Sequence, residues 1–226
     1  MRMRRKKNLI PRLEAASAVQ VFEPENNKGQ WLTVYPDFTE LRAEIGCGKG
    51  RFTAGTAQES PNALIVGVEK DQNAMVMAEE RILRENIPNV RFLDMDAAAL
   101  REVFAPEELD VIYINFPDPW PRVREAKHRL TSPTFLPAYM ELLKSGGRVE
   151  FKTDQVPLFD YSLVQFEQAG FRLDEVTHDR HANGPVGIMT DYEAKFYGQG
   201  VKINRCVASP APGAKAASSA GEEKNG

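Results

Sequence analysis

Short apolar runs alternate along the chain with longer stretches whose apolar residues recur every three or four positions. Leu41–Ile45 is such a run and ends at a glycine-rich turn. Leu64–Glu69 reads Leu-Ile-Val-Gly-Val-Glu, without the polar alternation of a strand that has one face in water. Val90–Leu93 and Leu109–Asn115 repeat the pattern, and Arg148–Lys152 follows the turn Ser145-Gly146-Gly147. Between these runs, Arg51–Gln58, Gln72–Glu85, Pro133–Leu143 and Val156–Gln168 carry the helical period. Thr131 or Ser132, ahead of Pro133, offers a helix cap with proline in the first turn. Phe171–Val176 and Val201–Val207 predict the last two strands. Strand–helix alternation with apolar strands predicts an α/β, Rossmann-like fold: a mostly parallel sheet with helices on both faces.

At 226 residues the chain suits one such domain with short extensions. Residues 1–30 read as a basic arm, 31–207 as the domain, and 208–226, rich in Ala, Ser, Pro and Gly, as a disordered tail. Deleting that tail is expected to leave stability unchanged. No apolar run nears the roughly 20 residues that span a bilayer, so no membrane association is expected. The basic start, Met1 to Lys7, is followed by no apolar segment, which argues against export. Cys47 and Cys206 are far apart without metal-like spacing, consistent with a cytoplasmic protein. His178 and His181 flank Asp179 without a third ligand nearby, so no metal is expected. The net charge of −3 does not mark a nucleic-acid binder, yet positive charge gathers at residues 2–7 and 122–129.

Ligands of parallel sheets bind at the carboxyl ends of the strands. The first run ends Glu44-Ile45-Gly46-Cys47-Gly48-Lys49-Gly50. Glycines allow tight turning and close approach to a ligand. A dinucleotide site wants Gly-x-Gly-x-x-Gly, and position 51 is Arg. Crowded glycines with Glu44 just before them suit a ligand with a cationic amino-acid end, so S-adenosylmethionine fits better than NAD. The second run ends in Glu69, placed to take ribose hydroxyls. The third leads to Asp96 beside small residues, an acceptor for an exocyclic adenine amine. The fourth ends Asn115-Phe116-Pro117-Asp118-Pro119-Trp120-Pro121. Three prolines stiffen that loop, so Asp118 and Trp120 lose little entropy in holding a planar base.

These motifs, with Phe151-Lys152-Thr153-Asp154 and Thr190-Asp191-Tyr192-Glu193-x-Lys195-Phe196, resemble the bacterial tRNA (guanine-N7-)-methyltransferase family over about residues 1–205. The Pro-Asp-Pro-Trp block is the specific part. The resemblance implies a class I S-adenosylmethionine-dependent methyltransferase fold. The implied product is 7-methylguanosine at position 46 of the tRNA variable loop. It places Glu44, Glu69, Asp96 and Asp118 at the cofactor, with Asp118 also catalytic. Arg122, Asp154, Thr190, Asp191, Tyr192 and Glu193 match positions that touch the tRNA substrate, and residues 124–129 a segment that meets RNA. Arg122, Arg124, Lys127 and Arg129 would supply its phosphate contacts. The family's segment usually runs Pro-Lys-x-Arg-His-x-Lys-Arg-Arg-Leu. Here lysine is Arg122, histidine is Glu125 and one arginine is His128, which lowers the charge, and Gln155 stands where asparagine is common.

Guanine N7 has an in-plane lone pair and no proton, so attack on a sulfonium methyl needs no general base. Positioning and a preplaced carboxylate suffice. Guanine's N1–H and N2–H₂ form a donor pair that matches a carboxylate, and Asp154 and Glu193 are the candidates for that clamp. The competing readings are a methyltransferase with another substrate, a non-catalytic RNA-binding protein on this fold, and a nicotinamide oxidoreductase. Monomer and homodimer are equally compatible with the sequence.

Overall fold

The computed structural model describes residues 7–214. Its strands are β1 (Glu40–Ile45), β2 (Ala63–Glu69), β3 (Val90–Asp94), β4 (Leu109–Asn115), β5 (Leu143–Thr153), β6 (Phe171–Thr177) and β7 (Asn204–Pro210). They form one sheet in the order β3-β2-β1-β4-β5-β7-β6. The first five are parallel, and β7 runs antiparallel between β5 and β6. The strand order reverses between β1 and β4, where Ile45 pairs with Ile114. That reversal opens a crevice beyond the carboxyl ends of both strands.

The helices are α1 (Leu9–Ala16), α2 (Trp31–Val34), α3 (Arg51–Glu59), α4 (Gln72–Glu85), α5 (Leu100–Val103), α6 (Leu136–Leu142), α7 (Val156–Gln168) and α8 (Asp191–Gly198). Ala54, Ala57, Met75, Ala78 and Ile82 of α3 and α4 meet Ile65, Val90 and Phe92 in one apolar cluster. Leu136, Tyr139, Leu142, Phe159 and Phe166 of α6 and α7 join Leu64, Val66 and Ile112 in a second. Covering both faces explains why β2 has no polar residue before Glu69.

Several boundaries differ from expectation for identifiable reasons. Neither Thr131 nor Ser132 caps a helix from Pro133. The Thr131 hydroxyl pairs with that of Ser162 at 2.6 Å, and the Ser132 hydroxyl donates to the Lys127 carbonyl. The helix therefore starts at Leu136, with Pro137 in its first turn. β5 begins at Leu143, with a register irregularity where the glycine turn was expected. Residues 9–30 are not a free arm. Arg12 makes two 2.7 Å hydrogen bonds to Glu80 of α4, and Val21 N–H donates to Phe92 at the sheet edge. Trp31 is fully buried, with its indole N–H on the Val103 carbonyl at 2.9 Å. Residues 2–6 of the expected basic cluster lie outside the described residues.

The expected tail start at 208 falls inside β7. Ala208 pairs with Val149 and Leu173, Ser209 with Arg172, and Pro210 with Phe171. Residues 215–226 of that expected tail lie outside the described residues. Ending the chain at Val207 is therefore expected to lower the melting temperature. Each lost ladder bond is worth about 1 kcal/mol, and each kcal/mol about 2–4 °C in a domain this size, so calorimetry is expected to show a fall of about 5 °C or more. An unchanged melting temperature would restore the reading of residues 208–210 as a tail.

Candidate functional site

A cleft of about 1400 Å³ opens at the carboxyl ends of β1, β2 and β4. The turn after β1 forms one wall. Gly46 and Gly48 have φ of 73° and 58°, and a Cβ on either would meet nothing within 4 Å. Their glycine requirement is therefore conformational. Glu69 fastens this turn. Its Oε2 accepts from Gly48 N–H at 3.0 Å, and its Oε1 accepts from Lys70 and Asp71 N–H, both at 2.9 Å. Asp96 lines the cleft, accepting from Ala98 N–H and from Lys70 Nζ, both at 3.0 Å. The Ala98 N–H, then the Lys70 ammonium, hold its carboxyl below the usual range.

Gly50, expected at the cofactor, does not line the cleft. It caps α3 at φ 71°, and a Cβ there would lie 2.8 Å from Ala78 Cβ and 3.0 Å from Ala78 Cα. Its role is the close approach of α3 to α4.

Glu44 forms the floor of the cleft and is 1% exposed. Thr53 Oγ1 donates to its Oε2 at 2.5 Å, and Asn115 Nδ2 to its Oε1 at 2.9 Å. Burial pushes its pKa up to about 7 despite those donors. Among the described residues, Asn115 Oδ1 is buried without a partner, in a residue that lines the cleft. Neither Thr53 nor Asn115 was anticipated. Asn115 ends an apolar strand next to an acid-bearing loop, which was the available signal.

The loop after β4 is conformationally strained as well as proline-stiffened. Phe116 and Trp120 have φ of 51° and 42°, in the left-handed region that bulky residues seldom occupy. Asp118 is exposed on the cleft wall and has no hydrogen-bond partner among the described residues. Trp120 packs on His128 with ring centres 5.1 Å apart. Along the same cleft, Phe116, Phe196 and the exposed Tyr192 form an aromatic row. Asp154, Thr190 and Asp191 line the same cleft. Asp154 accepts from the Gln155 side chain, and Asp191 approaches Arg51 at 3.8 Å and Arg81 at 3.9 Å.

Two expected contacts point elsewhere. Glu193, expected as half of a guanine clamp, is fully buried and faces away from the cleft. Its Oε2 accepts from Lys152 Nζ at 2.6 Å and from Thr190 N–H at 3.3 Å, while its Oε1 lies 3.1 Å from His181 Nε2. Thr190 Oγ1 in turn accepts from Glu193 N–H at 2.9 Å, completing a capping box on α8. Thr-x-x-Glu before a helix is the sequence signature of that box, so the signal was present. Arg129, expected on a phosphate, turns inward and donates to the Pro119 and Trp120 carbonyls. Arg124 and Lys127 are exposed, and exposed Arg122 pairs with Glu125 at 3.4 Å. The two histidines face different partners, His178 meeting Asn204 and His181 meeting Glu193.

The reversed strand order, the glycine turn and the acids at successive strand ends define a class I methyltransferase. A family described as "Putative methyltransferase" matches residues 39–206. The solved structure of 16S rRNA methyltransferase KamB shares the fold, with a TM-score of 0.63 over 81% of this chain and 93% of its own at 14% identity. A variant of the 16S rRNA (adenine(1408)-N(1))-methyltransferase from Catenulisporales acidiphilia, solved with cosubstrate SAM, has a TM-score of 0.57 over 84% of this chain and 92% of its own, at 14% identity. More particularly, the chain belongs to the family of bacterial tRNA (guanine-N(7)-)-methyltransferases. The protein of that name from Streptococcus suis (strain 05ZYH33) is 39% identical over 206 residues, covering 91% of this chain and 97% of its own. That from Listeria monocytogenes serotype 4a (strain HCC23) is 40% identical over 91% and 96%.

Glu193→Ala would strand the Lys152 ammonium, which is already disfavoured by burial. Breaking a buried pair costs about 3–5 kcal/mol. The expected result is a large loss in unfolding free energy by denaturant titration. A variant with wild-type stability but a raised KM for tRNA would return Glu193 to the substrate.

Proposed function

We propose that the protein transfers the methyl group of S-adenosylmethionine to N7 of a guanosine in tRNA, at position 46 of the variable loop, to give 7-methylguanosine. The observation that carries this reading is the strained Pro-Asp-Pro-Trp loop, which brings a carboxylate with no partner among the described residues to the rim of a cleft floored by buried Glu44.

The residues present fit this cofactor. Glu44 accepts from the Asn115 amide, which fixes the orientation of that amide and leaves Oδ1 as an unused acceptor at the cleft wall. A free acceptor above a buried carboxylate suits the cationic amino-acid end of the cofactor. Glu69 Oε2 accepts one backbone bond and keeps lone-pair capacity for a ribose hydroxyl. Asp96, kept ionised by Ala98 N–H and Lys70, suits the adenine amine. When bound, S-adenosylmethionine supplies an electrophilic methyl group. Asp118 opposes the positive charge that develops on the purine, and its preplacement avoids reorganisation at that moment. Tyr192 and Trp120 offer flat surfaces for the base. Asp154 is left as the carboxylate for the guanine N1–H and N2–H₂ edge. Arg122, Arg124 and Lys127 engage phosphates and position the RNA without reading its sequence.

Unmodified tRNA incubated with labelled S-adenosylmethionine is expected to yield 7-methylguanosine on digestion to nucleosides. Asp118→Ala is expected to lower the single-turnover rate by about 10²-fold, as for loss of one preorganised electrostatic group. A different methylated nucleoside would overturn the substrate, and an undiminished rate would remove Asp118 from the chemistry.

The state of Glu44 gives a further expectation. Its pKa is raised from 4.5 to about 7 in the folded protein. Without cofactor, the folded state therefore keeps a proton that the unfolded chain has lost. The contribution of Glu44 to stability accordingly declines as pH climbs from 4.5 to about 7. A cationic ligand end favours the ionised form, so cofactor binding expels that proton below about pH 7. Calorimetry at pH 6 in buffers of different ionisation enthalpy is expected to register proton release, with affinity rising toward pH 8. Binding without proton release would separate Glu44 from the cofactor.

A further inference from the structure

The basic segment after the catalytic loop contains two kinds of arginine. The chain from Val123 to His128 winds as a tight turn, closed by Arg129 N–H on the Ala126 carbonyl at 3.1 Å. The Ser132 hydroxyl holds the same turn through the Lys127 carbonyl at 3.1 Å. Arg124 and Lys127 project into solvent. Arg129 is half-buried under the loop. Its Nε donates to the Pro119 carbonyl at 3.1 Å and the Trp120 carbonyl at 3.3 Å, and its Nη2 donates to Trp120 at 3.0 Å. The guanidinium lies 4.3 Å from the centre of the Tyr161 ring on α7.

We infer that Arg129 is a positioning residue, a clasp that holds the Asp118–Trp120 loop in its strained conformation, and not a phosphate contact. Trp120 at φ 42° has a backbone that a bulky residue adopts only where its surroundings over-determine it. Arg129 supplies that constraint from one side, through the Pro119 and Trp120 carbonyls that flank the Trp120 Cα. The His128 ring supplies it from the other, against the indole. Tyr161 anchors the clasp to α7, whose Phe159 and Phe166 belong to the core. A guanidinium is required because its planar fork reaches both carbonyls while one face stacks on the ring, and a lysine ammonium presents a single point. Asp118 sits one residue before Pro119, so the clasp governs where its carboxylate stands. The inference rests on the proposal that Asp118 serves the methyl transfer.

The test combines kinetics with a probe that needs no turnover. Trp31 is fully buried, so the acrylamide-quenchable fluorescence reports Trp120. Arg129→Lys keeps the charge and loses the fork. It is expected to increase quenching and to lower kcat about tenfold or more, with unchanged S-adenosylmethionine affinity and an unchanged salt slope of tRNA binding. Arg124→Ala provides the contrast: a shallower salt slope by about one unit, with wild-type quenching. If Arg129 variants are too unstable to assay, Tyr161 gives the same information. Tyr161→Phe keeps the stacking face and is expected to match wild type, whereas Tyr161→Leu is expected to reproduce the quenching and the kcat loss. The clasp is overturned if Arg129→Lys or Tyr161→Leu leaves quenching and kcat unchanged, or if Arg129→Ala changes only the salt slope. The quenching result stands apart from the chemistry. Wild-type protein that forms no 7-methylguanosine overturns the function, whereas unchanged quenching overturns the clasp.

Discussion

The arrangement around the cleft depends on one charged pair kept out of water. Lys152 lies near the end of β5, whose last three residues are all buried, with its ammonium 4.5 Å from the centre of the Phe52 ring. Such a group is tolerated only when its charge is met nearby. Glu193 meets it from the first turn of α8, and the Ile188 carbonyl accepts from it at 3.3 Å. Satisfying Lys152 therefore brings the whole segment from His181 to α8 against the sheet. That docking puts Thr190, Asp191 and Tyr192 on the cleft wall. That wall of the cleft is held in place by a bond buried behind it.

The carboxylates consequently divide by the direction in which their bonding capacity is used. Glu193 is fully engaged inside, and Glu44 is engaged by Thr53 and Asn115 beneath the cleft floor. Glu69 spends three acceptor bonds on the backbone of its own and the neighbouring turn. Asp118 has no hydrogen-bond partner among the described residues and stands on a loop whose backbone is already committed. A carboxylate held rigidly yet unpaired is what electrostatic stabilisation of a short-lived cation requires, since no bond has to break before it acts.

Much of this was legible in the sequence for a physical reason. Strands covered on both faces are mostly apolar, so β2 and β4 stood out most clearly, and the acids within a few residues of the strand ends marked the cleft. Asp96 and Asp118 were found that way. Legibility failed where side chains served distant partners. The Thr131 hydroxyl reads as a cap until Ser162, 31 residues later, claims it. Glu193 and Arg129 carry charge in polar segments, and nothing local distinguishes an outward charge from one that closes a buried pair or clasps a loop. Residues 9–30 hid for a similar reason, because their apolar residues are few and dock singly, as Leu9 and Val19 do.

The contact between Gly50 and Ala78 bears on how the sequence can drift. With 2.8 Å between a hypothetical Cβ at position 50 and the real one at 78, position 50 cannot accept a larger residue while the backbone stays in place. Gly50 also begins α3, directly after Lys49, whose carbonyl accepts from Arg81 of α4 at 3.2 Å. A gain of one methyl group at this crossing would thus be transmitted to the glycine turn as a displacement of the whole helix start. The two positions act as a single unit of inheritance. Substitutions between α3 and α4 can accumulate around them, but glycine at position 50 is fixed for as long as Ala78 faces it.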